Sequence, residues 1–244
     1  MAKTKSLHSV RFPGESRRYR RARNELLLDE IKLRRQIEKV AALRRQLPLG
    51  GEIPKDYVFE EGAPDLTDRN AVRQVRMSDL FRPGKDSLII YNFMYGPKMQ
   101  QPCPMCTSML DGLHGNTVHA TQRVNLAIVA KSPVQRIRDF VRQRGWTNFR
   151  ILSSANNTYN SDYHGETGDG DQIPALNVFV RRDGKIFYFY NTELFFVPSE
   201  KGQNARHVDL LWPLWNLFDL TPEGRGTDWY PKLIYPGLGR GEAQ

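Results

Sequence analysis

Apolar and polar positions change their period along the chain, and each change marks an element. From Arg20 to Leu47 there is no Gly or Pro, and Leu, Arg, Glu and Lys dominate, which predicts one long helix closed by Pro48 and Gly50-Gly51. Leu26, Leu33, Val40 and Leu47 recur every seven residues, with Ile37 and Leu43 alongside. Asp29 and Gln36 interrupt that seam, so the stripe suits packing on the helix's own domain at least as well as a dimeric coiled coil. Residues 1–19 carry no apolar period and predict a disordered arm. Asp56–Glu60 and Val72–Arg76 read as short strands around a polar loop, and Ser78 caps a single helical turn before Arg82-Pro83-Gly84. Leu88–Met94 is an apolar run, the mark of a buried strand. A helix from Pro104 to about His119, a second central strand at Arg123–Ala130 and an amphipathic helix at Pro133–Arg144, stopped by Gly145, follow. Two strands joined through a helix predict a parallel pair. Ile151–Ser153 is a further short strand and Ala155–Gln172 a Gly, Asn and Asp-rich loop. Ala175–Val180 and Lys185–Tyr190 form an antiparallel hairpin with Asp183-Gly184 at its turn. Arg206–Phe218 is apolar nearly all round, and such a helix must be covered.

The formal charge of +9 alters this picture little. Residues 1–47 hold 14 Lys and Arg against 5 Asp and Glu, leaving 22 of each for the remainder. The excess is therefore N-terminal, the globular part is neutral, and nucleic acid is not an expected partner. No apolar run approaches the roughly 20 residues that span a bilayer, and no apolar stretch follows the first Met. No membrane partner is expected, and the chain is read as cytoplasmic.

The chemistry concentrates in Gln101-Pro102-Cys103-Pro104-Met105-Cys106, which holds both cysteines of the chain. A spacing of three places both sulfurs on one face of the first turn of a helix, and Pro104 suits the first helical position. A thiol there faces unpaired N–H groups and the positive end of the helix dipole, so its thiolate is favoured relative to an ordinary pKa of roughly 8.5. Cys103 is then the nucleophile and Cys106 the resolving thiol. In a reducing cytosol such a pair is catalytic rather than structural. Two inert core cysteines would leave the spacing and both prolines unexplained. A four-cysteine zinc site is excluded by the count. A metal site built from Cys103, Cys106 and His114, with His119 close behind, stays open, and Met94, Met99, Met105 and Met109 around the motif would suit cuprous ion.

A CxxC at the start of a helix after a central strand, a crossover, and Ile173-Pro174 before a terminal hairpin together resemble the thioredoxin superfamily. The resemblance implies an α/β fold, a thioredoxin-like mixed sheet flanked by helices, here with a long N-terminal helix and an aromatic C-terminal extension. It also implies that Pro174 is cis and lies against both sulfurs, beside the backbone of Ile173. A trans bond there, or a Pro174 far from both sulfurs, would end the assignment and leave only an isolated CxxC. The strand pair before Ser78-Asp79-Leu80-Phe81 is similar to the longer, peroxiredoxin-like branch. More closely, Leu88-Ile89-Ile90-Tyr91-Asn92-Phe93-Met94-Tyr95-Gly96-Pro97, the CxxC, Gly145-Trp146-Thr147 and Asp219-Leu220-Thr221-Pro222-Glu223-Gly224-Arg225 resemble a bacterial family of predicted dithiol-disulfide oxidoreductases of unassigned substrate. The peroxiredoxin motif sets Pro and Thr seven and three residues before its cysteine, where Gly96 and Gln100 stand here, which disfavours a peroxidase of that type. The buried Asp that serves the resolving thiol in thioredoxin has no counterpart, because no carboxylate lies between Asp86 and Asp111; Tyr91, Tyr95 and His114 are the substitutes on offer.

The domains expected are a basic arm and long helix at 1–55, a thioredoxin-like domain at 56–195, and an extension at 196–244 that packs on the domain or on a partner subunit. The function expected is thiol-disulfide exchange through Cys103 and Cys106, with Pro174 beside them and Ile173, Tyr95 and Trp146 contacting substrate. No cofactor is expected. The partners are a protein or small-molecule thiol or disulfide, an electron donor the sequence does not identify, and a second copy in a homodimer. A cuprous or zinc ion carrier using the same sulfurs is the alternative, followed by a thiol peroxidase or a non-catalytic scaffold. Trp229 and Tyr230 read as packing residues ahead of a ligand-binding lid.

Overall fold

Helix α1 spans Arg17–Arg45 and starts where Ser16 accepts a hydrogen bond from the Tyr19 amide. That cap, absent from the periodicity argument, begins the helix ahead of Arg20. The computed structural model describes residues 7–198, 201, 213–218, 220–222 and 230–235. The chain divides into two compact units, Met1–Pro48, which holds α1, and Leu49–Gln244.

The second unit runs β1 (Val58–Gly62), β2 (Val72–Arg76), a 3₁₀ turn (Met77–Leu80), β3 (Ser87–Asn92), α2 (Pro104–Ala120), β4 (Asn125–Ala130) and α3 (Val134–Arg144). It continues with β5 (Ile151–Ser153), α4 (Tyr159–Asp162), β6 (Ala175–Arg182), β7 (Lys185–Asn191), a 3₁₀ turn (Glu193–Phe196) and α5 (Pro213–Phe218). One sheet in the order β2-β1-β5-β4-β3-β6-β7 holds all seven strands. β3 pairs parallel with β4 and β4 with β5, while β6 lies antiparallel to β3 and to β7. The β3-α2-β4 crossover and the closing hairpin beside β3 make the fold thioredoxin-like, as the sequence led us to expect.

Alternation along the central strands divides the interior into two cores. Leu88, Ile90, Ala127, Val129 and Phe179 face one core, with Tyr57, Phe59 and Tyr159. Tyr91, Phe93, Ile128 and Ala130 face the other, covered by Cys106, Met109 and Leu110 of α2 and by Ile137, Phe140 and Val141 of α3. Each fully buried side chain of this size contributes about 1.5–3 kcal/mol, so the site-bearing helix is pinned by its own apolar face. Gly145 ends α3 in the left-handed region at φ 66°, and Trp146 N donates to Val141 O at 3.1 Å, the helix-ending arrangement that a C-terminal Gly permits. Asp183 and Gly184, at φ 50° and 75°, supply the two left-handed residues of a hairpin turn matched to strand twist.

Three features differ from the sequence reading or extend it. The loop 155–172 is ordered by its own polar groups: Ser154 Oγ donates to Asn160 Oδ1 at 2.6 Å, Asn160 Nδ2 to Gln172 Oε1 at 3.4 Å, and α4 buries Tyr159. Residues 50–53 cover the β7 edge through Gly50 N to Tyr188 O at 2.9 Å and Ile53 N to Ile186 O at 3.0 Å. The third is a correction. Among the described residues no peptide bond is cis, so Ile173–Pro174 is trans. Trans is the usual state even before proline. Here Ile173 N donates to Gly165 O at 2.9 Å and Gln172 bridges Glu166, which leads the chain straight into β6 without the reversal a cis bond would make. Of the apolar stretch 206–218, residues 213–218 form α5; residues 206–212 and Trp229 lie outside the described residues. Among the described residues no helix is long and apolar enough to cross a membrane.

Candidate active site

Cys103 is the residue before the first turn of α2, and Pro104 occupies that turn. The loop 95–102 carries the chain from the end of β3 to this point and closes on itself where Cys103 N donates to Met94 O at 3.0 Å. Arg136, on α3, holds the loop. Its guanidinium donates to the carbonyls of Met99, Gln100, Gly96 and Pro97, the last three at 2.9, 3.3 and 3.4 Å, and lies 4.4 Å from the centre of the Tyr95 ring. Ser132 Oγ adds a bond to Gly96 O at 3.2 Å. At the other side, Thr107 N and Oγ1 both donate to Cys103 O, at 3.0 and 2.9 Å. Both cysteines are free thiols; Cys103 is part-exposed and Cys106 buried.

The two sulfurs are inequivalent. The Cys103 thiol is brought down to about 6, chiefly by the Cys106 thiol that hydrogen-bonds its sulfur. Burial opposes this, while the Cys106 amide, the Tyr230 hydroxyl and the Met105 amide assist it. Cys103 Sγ makes no cap hydrogen bond of ordinary geometry, so those amides act by the direction of their dipoles at the helix start. A thiol with a pKa near 6 is about nine-tenths ionised at pH 7, against a few per cent for an unperturbed one. Burial pushes the Cys106 thiol well above its ordinary value, and the charge on Cys103 adds to this; the hydroxyl of Tyr91 and the backbone of Met94 act the other way. Tyr91, on β3, is itself raised, first by burial and then by the neighbouring Cys106. Tyr230 places its hydroxyl 3.8 Å from Cys103 Sγ. Each sulfur thus has one phenol as neighbour.

Residues 9–236 match the model of a family described as "Bacterial protein of unknown function (DUF899)". The chain belongs to that family. No curated protein matches this DUF899 chain. Solved structures similar to it include the 2-Cys peroxiredoxin of Plasmodium vivax, at 15% identity over 67% of this chain and 95% of that one, with a TM-score of 0.42. AhpC of Mycobacterium tuberculosis is similar at 13% identity over 72% and 97%, with a TM-score of 0.44. Peroxidoxin BcpB of the same organism is similar at 16% identity over 69% and 96%, with a TM-score of 0.40. These are likenesses of architecture alone.

In the DUF899 chain the residues singled out from sequence fall in several places. Cys103 and Cys106 are together, as their spacing required. Ala175 pairs with Asn92, so Pro174 lies opposite Phe93, at the strand end that feeds the cysteine loop, although its bond is trans. Ile173 is half-buried beside it. Tyr95 and Trp146 are buried: Tyr95 packs on Phe93 and Phe140, and Trp146 on Phe93, Phe140 and Phe149, with its indole N–H on Asp111 at 2.9 Å. His114 does not join the sulfurs. It lies eight residues beyond Cys106 on the same helix, about 12 Å by helical rise, and its Nε2 accepts from Asn148 N at 3.0 Å. Among the described residues no group of three His, Cys, Asp or Glu could hold a metal ion. The four methionines near the motif pack in the same apolar cluster as both cysteines.

Sequence reasoning missed Arg136 and Asp111. Their partners are main-chain carbonyls or residues of other elements, for which periodicity carries no signal. Two cavities of about 590 and 640 Å³ open elsewhere in the unit, and neither is lined by a cysteine.

Proposed function

We propose that this protein is a thiol-disulfide oxidoreductase that works through Cys103 and Cys106. The observation that carries the reading is the asymmetry of the pair: an accessible thiol brought down to about 6 directly above a buried thiol held in its protonated form. Cys103 thiolate attacks one sulfur of a substrate disulfide. A new S–S bond forms between Cys103 and that half, and the other half leaves as a thiolate that water protonates. Cys106 then loses its proton and attacks Cys103 Sγ, which releases the second half as a thiol and leaves an intramolecular disulfide; the substrate has gained two electrons and the protein has lost them. The proton Cys106 gives up passes to the departing sulfur, and Tyr91, which stays protonated, donates its hydroxyl to the Cys106 sulfur and stabilises its thiolate as that attack begins, the part no carboxylate is placed to play. Pro174 and Ile173 border the approach by position, and a substrate strand would run beside them. Tyr95 and Trp146 act from beneath, by packing that fixes loop and helix. The return of the pair to the dithiol takes two electrons from a donor that the sequence does not identify.

Replacing Cys106 by Ser should leave Cys103 able to attack and unable to be resolved, so mixed disulfides with small disulfides accumulate and are seen as mass adducts on Cys103. If Cys103→Ser accumulates adducts and Cys106→Ser does not, the assigned roles are reversed. If neither variant does, and the unaltered protein does not reduce a disulfide dye, the oxidoreductase reading fails.

A further inference from the structure

The outer flank of Cys103 is occupied by a residue from far along the chain. Tyr230 stands 127 positions beyond it, half exposed, with its hydroxyl 3.8 Å from Sγ. The segment that brings it there is anchored. Leu233 packs into the cluster that contains both cysteines, and its carbonyl accepts from Arg144 Nη1 at 2.9 Å. Arg144 is in turn held by Asp111 of α2, through a close Nη2–Oδ2 contact and an Nε–Oδ1 bond at 3.3 Å, and Asp111 also takes the Trp146 indole. Pro231 is buried beside the anchor. The cysteine helix therefore supports the segment that returns a phenol to its own N-terminus.

Resting on the exchange reading above, we propose that Tyr230 is a catalytic residue of the dithiol site, donating its O–H to the Cys103 thiolate and fixing that sulfur for attack. The chemistry of the pair allows only this direction when Cys103 is charged, because a thiolate has no proton to give. Tyr230 is raised above its ordinary range, by burial first and by the Cys103 charge next, so it remains a donor over the range in which Cys103 ionises. When Cys103 forms a bond to a substrate sulfur its charge is lost, and the same O–H faces the substrate side of the new disulfide. There it is a donor for the sulfur that leaves.

The test is the pH dependence of alkylation of the reduced, full-length protein by iodoacetamide, with modification at Cys103 followed by mass spectrometry. The unaltered protein should show an inflection near pH 6. Tyr230→Phe keeps the ring and removes the hydroxyl; its inflection should move up by about half to one pH unit, giving alkylation at pH 6 about twofold to fivefold slower and converging with the unaltered protein above pH 9. Tyr230→Ala should match Tyr230→Phe. Superimposable profiles for the unaltered protein and Tyr230→Phe would overturn the proposal, as would a shift in Tyr230→Ala alone, which would assign the effect to the ring. The measurement needs no exchange reaction, so it fails separately from the reading beneath it: adducts on Cys106→Ser with an unmoved profile remove Tyr230 only. A moved profile without adducts keeps the hydroxyl on the thiolate and removes the exchange.

Discussion

At the scale of residues, the site rests on one buried neighbour more than on the helix start. Sequence reasoning credited the low pKa of Cys103 to unpaired amides and the dipole, and those contribute, but the Cys106 thiol is the larger cause. Cys106→Ala should therefore raise the Cys103 pKa from about 6, and alkylation near neutral pH should slow. The sign follows from which form is favoured: lowering the folded-state value stabilises the thiolate, so the contribution to stability is present above the unfolded pKa and is lost as pH falls through about 6. An alkylation inflection in Cys106→Ala that stays near pH 6 would return the credit to the amides. The proline was the least legible residue. Its trans bond removes a criterion that seemed decisive for the fold, yet the strand order and register place it at the correct end of the sheet without it. Main-chain pairing carries the fold here, and the isomer is a local matter set by residues 165–173.

At the scale of elements, the loop 95–102 depends on α3. Arg136 reaches back across some forty positions to four carbonyls and one ring, and charge-assisted bonds of that kind are worth about 1.5–3 kcal/mol together with a smaller cation–π gain. Arg136→Ala should lower unfolding free energy by about that amount and slow Cys103 attack, because the cysteine loses its fixed approach. Denaturant titration checks the first and alkylation kinetics at pH 8 the second; unchanged values for both would show the loop to be self-supporting. Strands, helices α2 and α3 and the hairpin turn were legible because each follows from a period and a terminal residue, such as Pro104, Gly145 and Gly184. What was not legible was cross-element bonding. Arg136, Asp111 and the Asn160–Gln172 pair gain their meaning only once strands and helices have come together. His114 shows the converse: close to the motif in sequence, it is carried about two turns beyond Cys106 by the helix and spent on Asn148.

At the scale of the whole molecule, the described residues named here as neighbours of either sulfur belong to the second unit, from Tyr91 to Tyr230. A chain comprising residues 49–244 should fold and keep the alkylation inflection near pH 6; loss of that inflection in a chain that still shows native circular dichroism would give the first unit a part in the site. The burial of Cys106 has one more consequence, for survival under oxidants. On the roles proposed for the pair, hydroperoxide should convert the part-exposed Cys103 to a sulfenic acid, and the buried Cys106 thiol should capture that species as a disulfide, with loss of water, before a second oxygen is added. Cys106 would then work as a fuse that trips reversibly. Without it, in Cys106→Ala, peroxide treatment should leave Cys103 irreversibly as sulfinic acid, seen as a gain of two oxygen atoms that reductant does not reverse, whereas the unaltered protein should return to its starting mass.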